Sequence, residues 1–113
     1  MINLNKYGKN HPMSFHLGTY VENKNLYVGL LTNEEGYPEP WQNLTVNLGA
    51  NCDEDCGFID TNNNGGEIVE WLIANELGHF TGRTRVSGWC TYPEFQFNME
   101  KMMQHVGHDT RKH

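Results

Sequence analysis

Residues 13–22 alternate: Met13, Phe15, Leu17, Thr19 and Val21 on one face, Ser14, His16, Gly18, Tyr20 and Glu22 on the other. A period of two over this length marks a strand with one buried face. Glu22-Asn23-Lys24-Asn25 supplies turn chemistry, and residues 26–32 (LYVGLLT) resume as a second strand, so the pair is expected to form a hairpin. Residues 33–40 (NEEGYPEP) read as a loop, because each proline lacks an amide donor and biases its predecessor towards extended backbone. A third strand is expected over 41–48, an acidic loop over 49–55 and a short fourth strand over 57–60.

The period then changes. Ile68, Val69, Leu72, Ile73 and Leu77 recur at helical spacing and leave Glu67, Glu70 and Glu76 for solvent, which predicts a central helix over about 65–77. Asn64 and Glu67 have the spacing of a capping pair, and Gly78 suits the left-handed position after the helix. Two short strands, 84–90 and 94–97, are expected on either side of Tyr92-Pro93, followed by a short helix over about 98–106 and a frayed tail over 108–113. The expected architecture is a single α+β domain. A mainly antiparallel sheet of about five or six strands packs against the central helix.

At 113 residues and 37% hydrophobic content the chain is long enough to build a core without a metal or a disulfide framework. The N-terminal run has no apolar stretch of the secretory kind, no segment has the length of a membrane span, and three cysteines is an odd number. Together these place the protein in a reducing cytoplasm. The net charge of −6 is unevenly spread: ten carboxylates and no Lys, Arg or His lie between Glu34 and Glu76. Such a field disfavours nucleic acid and anionic membrane and favours a protein partner with a basic surface. Glu34, Glu35, Glu39, Asp53, Glu54 and Asp55 are the expected contact residues.

Candidate chemistry is sparse. Asp60-Thr61-Asn62-Asn63-Asn64-Gly65 matches the first half of a calcium loop, with Asp60, Asn62 and Asn64 at alternating positions, but Trp71 stands where the bidentate Glu belongs. The same residues also suit a strand-to-helix turn whose side chains satisfy free amides. Cys52, Cys56, Cys90 and His79 offer a zinc-type donor set, against which stand the wide Cys52–Cys56 spacing and three acidic neighbours. Arg83 and Arg85, between Gly82 and Gly88, suit an anion-binding loop or pairing with carboxylates. No cofactor and no catalytic residue is expected.

The runs LTVNL (44–48), GFIDTNN (57–63), ELGHFTGR (76–83) and SGWCTYPEFQF (87–97), with Tyr7-Gly8 and Thr19-Tyr20, resemble an uncharacterised family of small bacterial proteins. Its members come from gut Firmicutes and related bacteria, on conjugative elements, plasmids and phages. The resemblance implies an intracellular accessory protein of a mobile element and carries over no catalytic residue. With the acidic charge, it sets the expectation of a non-enzymatic protein acting by protein–protein binding, in the manner of an anti-CRISPR inhibitor of a host defence nuclease. The alternative is a small-ligand or metal-binding domain using the Asp60–Gly65 loop or the Cys52/Cys56 loop.

Overall fold

The computed structural model describes residues 2–49 and 53–107. The tail over 108–113, and Cys52, lie outside the described residues. Eight strands and three short helices are present among the described residues, in the order β1 (Ile2–Lys6), β2 (Lys9–Thr19), β3 (Leu26–Thr32), β4 (Glu39–Asn43), β5 (Thr45–Val46), β6 (Cys56–Ile59), α1 (Thr61–Asn64), α2 (Glu67–Ala74), β7 (Gly78–Ser87), β8 (Cys90–Phe97) and α3 (Met99–Met103). They form two four-stranded antiparallel sheets, β1-β2-β3-β4 and β5-β6-β8-β7. The architecture is mainly β with short helices, which corrects the expected single sheet of five or six strands.

The first sheet grows from two hairpins. Ile2 and Leu4 are buried while Asn3 and Asn5 are exposed, so β1 obeys the strand period despite its brevity. It turns into β2 through Tyr7 and Gly8, both at positive φ (57° and 72°), the geometry whose twist suits a two-residue hairpin. The β2–β3 hairpin forms as expected, with Phe15 opposite Leu30 and Leu17 opposite Val28 on the inner face. The expected 41–48 strand is two strands divided at Leu44. The Leu44 N–H donates to the Val28 carbonyl of the first sheet, and its own carbonyl accepts from Asp60, which follows β6. A fully buried residue thus ties the two sheets together by its backbone.

The central helix is shorter than the hydrophobic period implies. Asp60 caps α1 by accepting from the Asn63 amide, α2 then runs only from Glu67 to Ala74, and Leu77 is buried beyond its end. Glu76, at φ 58°, takes the left-handed position expected of Gly78, which instead opens β7. The expected strand break at Tyr92-Pro93 is absent, and β8 runs straight through it. Pro93 pairs with Thr84 beside a register shift in β7, and a bulge is where a strand tolerates a missing donor. Met13, Phe15 and Leu30 from the first sheet, Ile59, Phe95 and Phe97 from the second, Ile68 and Leu72 from α2, and Met102 from α3 share one core. The Trp71 indole anchors α2 to β1 by donating to the Asn3 carbonyl at 2.8 Å.

Candidate functional site

With the helices and the second sheet on its inner side, the first sheet leaves part of its outer face open. Strand register places one set of side chains there. His16 on β2 lies opposite Gly29 on β3, Ser14 opposite Leu31, Gly29 opposite Asn43 and Leu31 opposite Pro40 on β4. All of these except Ser14 line a cavity of about 460 Å³, together with Tyr27, Pro38, Trp41 and Gln42.

The floor of this cleft is built by a glycine. A Cβ on Gly29 would stand 2.5 Å from the Tyr27 hydroxyl, so its absence lets the phenol ring lie along the sheet. The Tyr27 hydroxyl donates to Asn43 Oδ1 at 2.7 Å, and the ring is flanked edge-on by Tyr20 (centroids 5.5 Å apart) and by His16 (5.9 Å). At one side the chain after α3 runs beside β2 in a parallel bridge between Phe15 and Val106. Phe15 and residues 105–107 exchange backbone hydrogen bonds, and Gly107 lies against Ser14 and Leu31. The opposite wall is Pro38 and Pro40, which flank Glu39 at the start of β4. Aromatic faces, proline edges and the amides of Gln42 and Asn43 therefore meet in one concavity whose lining holds neither Lys nor Arg. Such a site binds a flat or cationic group by ring contact and orients it with amide hydrogen bonds. A second cavity of about 240 Å³ lies behind Trp41, against Lys6 and Asn64.

The six expected carboxylates do not form one patch. Glu34 and Glu35 belong to the β3–β4 connection and Glu39 opens β4 beside the cleft, opposite Thr32 at the end of β3. Asp53, Glu54 and Asp55 precede β6, whose Gly57 lies against the Leu26 carbonyl at the other end of β3. Six residues of strand separate these ends, roughly 20 Å. Each group also has local cations. Glu34 meets the buried His11 imidazole and lies 3.9 Å from Lys9, while Asp53 accepts from Arg83 at 2.7 Å.

Arg83 is committed to carboxylates. Its Nε donates at 2.7 Å to Glu94, a buried residue that also accepts from the Thr81 hydroxyl at 2.8 Å. The hydrogen bond to Glu94 and the charge of that carboxylate, with Asp53 adding to them, raise the pKa of the guanidinium. Arg85 is exposed further along the same strand.

The metal candidates are dispersed or engaged. Asp60 accepts from the backbone and side-chain amides of Asn63, Asn64 donates to the Asn43 and Asp60 carbonyls, and Asn62 is exposed. The Lys6 ammonium already sits on the Asn64 carbonyl at 2.8 Å. Cys56 and His79 flank Gln96 on neighbouring strands, whereas Cys90 lies six residues up β8, roughly 20 Å away. There Cys90 hydrogen-bonds the Tyr92 phenol, and that bond, with burial, pushes the phenol pKa up. Among the described residues no three His, Cys, Asp or Glu side chains converge as a metal ion requires.

Sequence reasoning missed His16, Tyr27, Trp41 and Asn43 as a group, and missed Glu94. The available signal was the solvent face of the first hairpin, where His16, Tyr20 and Tyr27 stand in place of the charged residues usual on an exposed sheet.

No helix among the described residues is long and apolar enough to cross a membrane. Neither a curated protein nor a solved structure matches the chain. A family model described as a domain of unknown function (DUF4313) matches residues 14–111, nearly the whole sequence, and the chain belongs to that family.

Proposed function

We propose that the protein is a non-enzymatic accessory that works in the cytoplasm by binding a protein partner with a basic surface. The observation that carries this reading is the cleft on the first sheet. It joins aromatic faces to the Pro38 and Pro40 wall, which flanks Glu39 in the chain, and its lining holds neither Lys nor Arg. A Lys or Arg side chain entering it gains ring contact and carboxylate attraction together. The carboxylates at 53–55 form a second acidic region, suited to an extended basic surface rather than a single docked residue. The resemblance to proteins of mobile elements favours a nucleic-acid-binding effector as the partner, such as a host defence nuclease whose basic channel an acidic protein blocks. Needing no cofactor, this role fits a site made of rings and amides with carboxylates beside it in the chain.

The test is competition. A candidate nuclease is preloaded with labelled nucleic acid, and the protein is titrated in at low and at moderate salt. The expected result is displacement that weakens with salt and is lost when Glu34, Glu35, Glu39, Asp53, Glu54 and Asp55 are neutralised together. Undiminished displacement by the neutralised protein would remove the acidic surface from the account.

The cleft volume also supports a second reading, since about 460 Å³ is within the range of small-ligand sites. This reading moves the ligand from the Asp60–Gly65 loop and the Cys52/Cys56 loop to the Tyr27–Asn43 cleft. Saturable binding of a small molecule, lost in Tyr27→Ala, would favour it.

A further inference from the structure

The β7–β8 hairpin is the counterpart of the cleft in both charge and polarity. Every residue of β7 is at least partly exposed, and its turn presents Trp89 at 103% of full exposure, with Val86 at 67% nearby. Gly88, at φ 60°, is the first of the two turn residues between Ser87 and Cys90, a tight connection that holds the indole outward on a paired ribbon. At the arm's base, Glu94 gathers Thr81 and Arg83 across the bulge, and Arg83 ties the arm to Asp53. Of the arm's two arginines Arg83 is already paired with Glu94 and Asp53, which leaves Arg85 exposed, whereas residues 33–47 contain three carboxylates and neither Lys nor Arg.

We propose that two copies of this chain associate by placing the arm tip of one, Trp89 with Arg85 behind it, in the Tyr27–Trp41–Asn43 cleft of the other. Trp89 is fully exposed, so the arm leaves its own cleft open and is itself free to reach the cleft of a second copy. The indole supplies an aromatic anchor of the kind that dominates interfaces, and its N–H finds acceptors in the Gln42 and Asn43 side chains. Arg85 approaches Glu35 and Glu39, which neighbour the Pro38 and Pro40 wall in the chain, giving the contact its orientation. Because each copy has one arm and one cleft, a twofold arrangement satisfies both contacts and closes the assembly. The inference rests on the cleft being a binding surface, as the proposed function holds. It adds that self-association and partner binding compete for it.

Sedimentation velocity over a concentration series tests this, with the Trp emission spectrum recorded alongside. The wild-type protein is expected to pass from monomer to dimer, with a concentration-dependent blue shift as Trp89 leaves water. Trp89→Ala and the cleft variant Gln42→Lys should each weaken association by roughly tenfold or more, the usual effect of losing an interface anchor. Both positions are exposed, so unchanged circular dichroism and melting separate lost association from lost folding. Arg85→Glu should weaken association, and mixing it with Glu35→Lys/Glu39→Lys should restore a heterodimer. A wild-type protein that stays monomeric at its highest soluble concentration overturns the inference, as does a dimer indifferent to Trp89→Ala. If a basic partner is still captured through the cleft, that failure leaves the proposed function standing. Dimerisation through the arm without capture of any basic partner rejects the function and keeps the inference.

Discussion

Glu94 and His105 show how single buried groups constrain this molecule. Glu94 is 3% exposed and holds the β7 bulge through Thr81 and Arg83. Glu94→Gln keeps the shape and removes the charge from both hydrogen bonds. Chemical denaturation should then show a loss of about 2 kcal/mol, the scale of hydrogen bonds to an ionised acceptor. His105 follows α3, and its Nδ1 is buried without a hydrogen-bond partner. Burial, with Lys101 nearby, holds its pKa below the ordinary value. In the unfolded chain the imidazole takes up its proton near pH 6.5, whereas in the fold it does so only at lower pH. Over that window the unfolded state binds more protons, so this group's share of stability is complete above the unfolded value and is lost as pH falls towards the folded one. Thermal melts between about pH 7 and about pH 5 should therefore fall less in His105→Gln than in the wild type.

At the scale of elements, the arm is the least supported piece and the first to respond to local change. Gly88→Val puts a branched side chain at positive φ, which costs about 1–2 kcal/mol. Because the turn lies far from the core, amide exchange at Ser87 and Cys90 should speed up while the global melt barely moves. The arm also shows why part of the fold was legible and part was not. β2 and α2 each have a more buried and a more exposed face, and that contrast writes a period into the sequence. β7 is exposed on both faces and Cys56–Ile59 is buried on both, so neither carries an alternation to read. The split of 41–48 depends on Leu44 bonding to both sheets, a long-range fact with no local signal. The cleft was hidden for the same reason. Its residues come from three strands and the chain beyond α3, and only the strand register brings them together.

Across the whole molecule the six carboxylates expected to meet a partner fall into two separated groups, each partly met by local cations. The net charge of −6 still opposes phosphate at long range. A fluorescence-anisotropy titration with duplex DNA or RNA at physiological salt should reveal no tight binding, because too few cations are free to displace counterions. The proposed partner binding rests on the aromatic concavity acting together with the carboxylates next to its Pro38 and Pro40 wall in the chain. Its most direct test is retention of host proteins from a lysate by the wild type and by Tyr27→Ala/Asn43→Ala, with equal melting of the two established first. A basic protein should be held by the wild type and lost from the cleft variant. Equal retention by both proteins, or no basic protein retained by either, would contradict the proposed binding.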